Sequence, residues 1–203
     1  MPECGIILSW ADVYFIDTCA SDNCFIIFFG GDAAVNFKTK DLARSAIFLA
    51  LGLLIPYIFH VTGVPGQVFL PMHIPVLLCG LLLGYPYGLV VGLITPFLNT
   101  LLTGLPPVYP VAIAMAFELA AYGLVAGWLY KGRKMNLFLS LIIAMAAGRA
   151  VLGAVNFILL GMTGKQYGLQ VFISSAFITA LWGIIIQFIV IPLVVRAVEK
   201  NRE

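Results

Sequence analysis

The stretch VAIAMAFELAAYGLVAGWLY, residues 111–130, is apolar along its whole length except for one carboxylate, Glu118. An apolar run of this length matches the roughly 20 residues that an α-helix needs to cross about 30 Å of hydrocarbon. A charge inside such a helix is costly unless it pairs with another group or faces a cavity. The stretch therefore predicts a membrane-spanning helix that packs around a polar interior.

The remainder of the chain repeats this apolar pattern. Of its 203 residues 62% are hydrophobic and only 10% are charged, whereas soluble domains carry about 25% charged residues. The composition indicates an all-α integral membrane protein whose length suits a single domain. Hydropathy, together with the Gly and Pro residues that separate the apolar stretches, predicts a six-transmembrane-helix bundle. Its spans are expected at residues 42–60, 69–84, 87–103, 111–130, 136–160 and 168–195.

The second and third of these spans are short for a membrane crossing. Pro71 and Pro75 crowd the start of the second, and Pro96 interrupts the third. We expect these helices to be kinked, partly re-entrant or packed inside the bundle, where neighbouring groups satisfy the freed backbone.

Basic residues set the expected orientation. Nine of the eleven Lys and Arg residues fall on one side of a six-span topology, and Lys165 alone lies in an opposite loop. The positive-inside rule places that basic side, and both termini, in the cytoplasm. The nine are Lys38, Lys40, Arg44, Lys131, Arg133, Lys134, Arg196, Lys200 and Arg202.

Residues 1–34 differ in composition from the rest of the chain. They hold three of the four cysteines and no Lys or Arg, match no zinc-binding spacing, and lack the basic start of a signal peptide. We expect an N-terminal extension of one of two kinds. It is either the product of an upstream start site, with Val35 as the native start, or a real cytoplasmic or interfacial appendage. The six-helix domain is then residues 35–203.

Polar side chains concentrate in the outer halves of the spans. Glu118 lies about 10 Å from the outer start of its helix, and Arg149 lies closer to mid-membrane. This one-sided distribution predicts a polar cavity that opens to the outside, with Arg149 at or near its floor. The candidate substrate-binding residues are His73, Asn99, Tyr109, Glu118, Arg149, Asn156, Gln170 and Ser174.

These residues also have structural interpretations. Glu118 and Arg149 can form an ion pair between neighbouring helices, because a depth difference of about 6–8 Å is within reach of two long side chains. His73 has a proline on each side and can serve to cap a kink. The asparagines can be interhelical hydrogen-bond donors, and Tyr109 can be an interface aromatic.

Common catalytic and nucleotide-binding motifs are absent. The chain has no GxxxxGK[ST] phosphate loop, no GxSxG and no HExxH. Its two histidines and one membrane-embedded cysteine, Cys79, are too few for a dedicated metal site. We therefore expect no catalytic residue, metal or cofactor in this chain, and no nucleic-acid partner.

Four segments together resemble the substrate-binding S component of energy-coupling factor (ECF) vitamin transporters. The resemblance covers about residues 40–200. The segments are FLPMHIPVLLCGLLLG at 69–84, YGLVVGLITPFLNTLLTGLPP at 87–107, ELAAYGLVAGWLY at 118–130 and GRAVLGAVN at 148–156.

The resemblance implies a six-helix bundle in the plasma membrane of a prokaryote. It implies a ligand held near the outer face, by the outer loops and helices four to six. It also implies partners in the bilayer: a transmembrane coupling (T) subunit and two ATP-binding subunits, in line with the missing phosphate loop. We expect a vitamin or related micronutrient as ligand, with pantothenate first, on the resemblance and because a buried arginine suits a carboxylate. Cobalamin, a pyridine vitamin, folate, riboflavin, queuosine precursors and haem are the alternatives.

Ala46 and Ala50 match the Ala-x-x-x-Ala pattern by which the first helix of this family often docks to the coupling subunit. Small residues four apart let another helix approach closely. The same pattern is common in apolar helices, so packing inside the bundle is the alternative.

Two functions from other classes fit the same residues. The chain can be an intramembrane enzyme that uses Glu118 and His73 as acid and base on a lipid or quinone. It can also be a structural membrane assembly protein in which Glu118 and Arg149 specify the fold. Association with ATP-binding subunits is expected only for a transport component.

Overall fold

The computed structural model of the protein describes residues 6–7, 15–17, 24–29, 33–62, 70–162 and 181–200. From Thr39 onward every regular element in these residues is helical. Two π-helical turns, Val108–Ala112 and Trp128–Gly132, extend the fourth helix at its two ends. The helices are α1 (Thr39–Val61), α2 (His73–Leu83), α3 (Tyr85–Thr103), α4 (Ile113–Gly127), α5 (Leu137–Met162) and α6 (Leu181–Lys200).

The helices differ in their capacity to cross a membrane. Among the described residues, four segments are long and apolar enough to do so. The 11 residues of α2 span only about 16 Å, roughly half of the hydrocarbon thickness. The helices from Thr39 onward confirm the helical fold. The six-span count and the cytoplasmic termini stay predictions, because only four of the described segments are long and apolar enough to cross. The four segments are Thr39–Phe59, Tyr85–Thr103, Val108–Gly132 and Leu137–Gly161.

The part of the chain before α1 contains strands, which the all-α prediction did not include. They form an antiparallel sheet in chain order, and the longest pairing joins Cys24–Phe29 to Ala33–Lys38. The sequence CFIIFF explains this difference, because aromatic and β-branched residues favour strands. The strands are β1 (Ile6–Ile7), β2 (Phe15–Asp17), β3 (Cys24–Phe29) and β4 (Ala33–Lys38).

β4 runs across the predicted boundary between residues 34 and 35 and continues directly into α1. The backbone N–H of Lys38 donates a hydrogen bond of 2.8 Å to the Tyr87 hydroxyl at the start of α3. The division of the chain into residues 1–34 and 35–203 stays a prediction.

The short helix α2 forms the centre of the bundle. It packs against α1, α3, α4 and α6, and every one of its residues except Ile74 is buried. Of the three arrangements expected for the short spans, α2 therefore has the one in which the helix packs inside the bundle. Lys131 closes the far end of α2, where its Nζ donates to the carbonyl oxygens of Leu82 and Leu83 at 3.1 and 3.0 Å. These carbonyls have no partner within the helix, so the lysine satisfies them.

Glycines bring α4 into close contact with α2 and α3. A Cβ added to Gly88 would lie 2.7 Å from the Gly123 carbonyl oxygen, and one added to Gly92 would lie 2.5 Å from the Leu119 carbonyl oxygen. Gly88 and Gly92 are four residues apart, as are Gly123 and Gly127. This is the spacing by which small residues let membrane helices approach. The backbones in this contact leave no room for a methyl group.

We predict that Gly123→Ala destabilises the bundle, by about 1–3 kcal/mol as is usual for overpacking. A Cβ at this position would overlap the Gly88 backbone, which cannot move aside as a side chain can. Gly161→Ala is the matched control, because a Cβ there meets nothing within 4 Å. Thermal unfolding in detergent measures both. Equal midpoints for the two variants would contradict the close contact.

Candidate functional site

Glu118 of α4 and Arg149 of α5 meet inside the bundle. Arg149 Nη1 lies 3.0 Å from Glu118 Oε1. Glu118 is 2% exposed and Arg149 is 5% exposed, so water screens this pair little. The ion pair expected as the structural interpretation of these residues is therefore present in the fold.

Two further side chains converge on the same carboxylate oxygen. The Tyr122 hydroxyl donates to Glu118 Oε1 at 3.0 Å. His73 Nε2 lies 3.6 Å from that oxygen, slightly beyond hydrogen-bonding distance. The His73 and Tyr122 rings also meet edge to face, with centroids 5.3 Å apart. We call His73, Glu118, Tyr122 and Arg149 the buried cluster; it joins α2, α4 and α5.

Local sequence explains how these side chains meet. Tyr122 follows Glu118 by four residues, which places both on one face of α4. Gly148 lets α5 pack onto the Tyr122 ring, since a Cβ at Gly148 would lie 2.5 Å from a ring carbon. Arg149 is the next residue and so reaches Glu118. Sequence reasoning missed Tyr122, although its spacing from Glu118 was a usable signal.

The buried cluster retains hydrogen-bonding capacity. Within the described structure, Arg149 Nε and Nη2 have no hydrogen-bond partner, and neither do the two ring nitrogens of His73. Nε and Nη2 form one edge of the guanidinium, the edge that can bind a carboxylate through two parallel hydrogen bonds. Arg149 thus pairs with Glu118 through Nη1 and presents a second, bidentate edge.

Two other sequence-predicted residues, Asn99 and Tyr109, have hydrogen-bond partners outside the buried cluster. Asn99 is buried, and its Nδ2 donates to the Gly52 carbonyl of α1 at 3.1 Å, an interhelical hydrogen bond. Tyr109 is 45% exposed and donates to the Leu159 carbonyl at 2.6 Å. Asn156 is half-buried in α5. Gln170 and Ser174 lie outside the described residues.

The proposed docking residues are exposed. Ala46 and Ala50 lie on the outer face of α1, which also exposes large apolar side chains such as Ile47 at 61% and Leu54 at 54%. Among the described residues neither alanine is packed inside the bundle, and the docking role of the pair stays a prediction.

A cavity of about 290 Å³ lies at the other end of the bundle, where α2 ends and α3 begins. Its lining includes Lys38, Tyr87 and Lys131, so it is not the cavity predicted around Arg149. That predicted cavity stays a prediction, because residues 63–69 and 163–180 lie outside the described structure. The described residues include no group of three or more His, Cys, Asp or Glu that could hold a metal ion.

Comparisons with known proteins identify the class of the chain. The family described as "ECF transporter, substrate-specific component" matches residues 40–195, so the chain belongs to this family. A solved structure of the S component of a bacterial ECF transporter has a TM-score of 0.60 and 24% identity, and the match covers 81% of this chain and 98% of that one. This likeness supports the shared fold. A search of curated proteins finds no match.

Family membership defines the chain as an integral membrane subunit that binds substrate for transport and is not an enzyme. Members of the family bind small molecules and pair with a transmembrane subunit and ATPase subunits. The hypothesis of an intramembrane enzyme with Glu118 and His73 as acid and base is therefore wrong.

We predict that Arg149→Met lowers the free energy of unfolding by about 3–5 kcal/mol, because it leaves Glu118 as a buried, uncompensated charge. The double variant Glu118→Gln with Arg149→Met should recover most of this loss, since no unpaired charge remains. Chemical or thermal unfolding of the detergent-solubilised protein measures both. A double variant as unstable as the single one would show that the pair is not energetically coupled.

Proposed function

We propose that the chain binds a vitamin or related micronutrient with high affinity at the outer membrane face. We further propose that it delivers this ligand across the membrane as the S component of an ATP-driven ECF transporter. The ligand carries a carboxylate, and pantothenate is the first candidate. The observation that carries the proposal is the bidentate edge of Arg149, buried and without a partner among the described residues.

The charge of the buried cluster supports an anionic ligand. Glu118 compensates Arg149, so the guanidinium is kept in the interior at a fixed position. A carboxylate on the Nε and Nη2 edge would gain two charge-assisted hydrogen bonds in a region of low dielectric. His73 adds ring nitrogens beside the same point. We include Asn99, Tyr109, Asn156, Gln170 and Ser174 as further contacts at the outer end of the site.

The position of the cluster along the bundle supports entry from outside. His73 begins α2, and the basic residues Lys38 and Lys131 line the opposite end of the bundle. If those basic residues face the cytoplasm, as the positive-inside rule requires, the buried cluster lies toward the outer face. Both termini are then cytoplasmic, and the protein crosses the membrane several times.

Partner subunits would supply the energy. We propose that a transmembrane coupling subunit binds the exposed Ala46 and Ala50 face of α1 and that two ATP-binding subunits drive release of the ligand inside. The exposure of both alanines supports this, because a small-residue face open to the bilayer accepts close approach by another helix.

Titration with two chemically matched probes tests the role of Arg149. Pantothenate carries a carboxylate, and panthenol carries an alcohol in its place. We expect wild-type protein to bind pantothenate and not panthenol. The stable double variant Glu118→Gln with Arg149→Met should lose at least about 1.5–3 kcal/mol of binding free energy for pantothenate, the loss expected for a charge-assisted hydrogen bond. Near-normal affinity in that variant would remove Arg149 from the site.

Mass spectrometry of small molecules retained by the purified wild-type protein tests the function independently of the probe. Recovery of a micronutrient other than pantothenate would correct the identity of the ligand and keep the function. Failure of the protein to retain any small molecule, or to co-purify with ATP-binding subunits, would contradict the proposed function.

We predict that Ala46→Trp and Ala50→Trp weaken assembly with the coupling subunit and spare ligand binding, because bulk on the small-residue face blocks close helix approach. Leu51→Trp is the matched control. Leu51 is also exposed, at 38%, but lies about 100° around the helix from Ala50 and is already large. Co-purification of the membrane complex measures assembly. Normal assembly of both alanine variants would exclude this face as the docking surface.

A further inference from the structure

Gln187 of α6 is fully buried, and neither its Nε2 nor its Oε1 has a hydrogen-bond partner among the described residues. Leaving a buried amide without partners costs free energy, because no hydrogen bond offsets the loss of its contacts with water. An apolar residue of similar size would avoid this cost. Packing alone therefore does not explain why a glutamine stands at this position.

The depth of Gln187 follows from a contact at the basic end of the bundle. The Tyr130 hydroxyl, in the π-helical turn that follows α4, donates to Glu199 Oε1 at the end of α6, with a distance of 2.7 Å. Glu118 precedes Tyr130 by twelve residues, and Gln187 precedes Glu199 by the same number. α6 rises about 1.5 Å per residue away from this contact, as does the α-helical part of the stretch from Tyr130 to Glu118, which puts Gln187 at about the level of Glu118.

A second contact between helices shows that Gln187 also lies at about the level of Arg149 along the bundle. The Arg196 guanidinium lies over the Phe138 ring at 5.8 Å, which aligns the end of α6 with the start of α5. From these residues Arg149 is about 16 Å along α5, and Gln187 is about 13 Å along α6. The difference is smaller than the length of either side chain.

Gln187 also faces inward. It belongs to a buried stripe of α6 in which every fourth residue is covered, from Gly183 through Gln187 and Ile191 to Val195. Ile191 and Val195 are part of the hydrophobic core that α2 contributes to. The stripe therefore faces α2, the helix that His73 begins, and Gln187 is its member at the level of the buried cluster.

We propose that Gln187 belongs to the same binding site as Arg149 and that the ligand carries two separate polar groups. A carboxylate binds the Nε and Nη2 edge of Arg149. An uncharged group that both donates and accepts, such as an amide, ureido or hydroxyl group, pairs with the Gln187 amide. The site thereby selects polar monocarboxylates over cations, over uncharged analogues and over carboxylates with a purely apolar body. This inference rests on the proposed function, since it extends the same site.

The first arm of the test uses a panel of six probes with purified wild-type protein. Pantothenate and biotin combine a carboxylate with an amide or ureido group, whereas panthenol and biotinamide are their uncharged counterparts. Thiamine is a cation, and riboflavin has no carboxylate. We expect binding of at least one of the two carboxylates and of neither counterpart. Binding of thiamine or riboflavin instead would overturn the ligand class while leaving micronutrient binding intact. Binding of none of the six probes would also overturn the ligand class. The proposed function is then tested separately, by mass spectrometry of the small molecules that the purified protein retains.

The second arm uses Gln187→Met, which keeps the size of the side chain and removes its amide. We expect about tenfold weaker binding of the carboxylate probe, the loss of one hydrogen bond to an uncharged group. The unfolding midpoint without probe should be unchanged or higher, because a buried unsatisfied amide is gone. This combination of weaker binding and retained stability is not expected of a residue that only supports the fold.

Ser140→Ala is the matched control. Ser140 is also fully buried with an unpartnered oxygen among the described residues, but it lies near the start of α5, about 13 Å from the level of Arg149. The Ser140→Ala variant should bind the carboxylate probe with the affinity of the wild-type protein. Unchanged affinity in Gln187→Met, or a lowered midpoint or failure to fold in that variant, would overturn the assignment of Gln187 to the site.

Discussion

A single carboxylate oxygen organises the interior of this protein. Glu118 Oε1 forms an ion pair with Arg149, accepts a hydrogen bond from Tyr122 and lies beside His73, so α2, α4 and α5 meet at one point. Because an isolated charge in a membrane interior is costly, each of these helices is held in position by the need to keep this oxygen compensated. The geometry leaves one edge of Arg149 without a partner among the described residues, and the proposed binding function depends on that edge.

Close packing of backbones makes this meeting possible. At Gly88, Gly92 and Gly123, helix α4 approaches its neighbours so closely that a methyl group would overlap a carbonyl oxygen. Without a hydrophobic driving force between helices in lipid, such van der Waals contact is a main source of helix association. The glycine contact and the buried cluster are thus two parts of one arrangement, in which α2 is covered on nearly all sides.

The two ends of the bundle have different chemistry, which suits a transport subunit. One end carries Lys131 on the last carbonyls of α2 and the Tyr130–Glu199 hydrogen bond, and it fixes the helices relative to each other. The other end holds the buried cluster and, as we infer, Gln187. The exposed alanines of α1 lie outside this core. Ligand binding and partner docking, as proposed, therefore use separate surfaces of the same bundle.

The sequence by itself determined the membrane class, the helical segments from Thr39 onward and the pair of charges inside them, because hydropathy and the cost of buried charge are properties of the chain that need no partner. For the short, proline-flanked spans it left three options open, of which packing inside the bundle was one. The tertiary structure decided which polar residues meet. Only the packed helices show that Asn99 binds the Gly52 carbonyl, that Tyr122 joins Glu118, and that Tyr130 binds Glu199. Such contacts depend on the rotation and register of each helix, which are set by close backbone contact at particular glycines and by capping interactions far along the chain. The strands before α1 were likewise missed, since short apolar runs such as CFIIFF become strands only when another segment pairs with them.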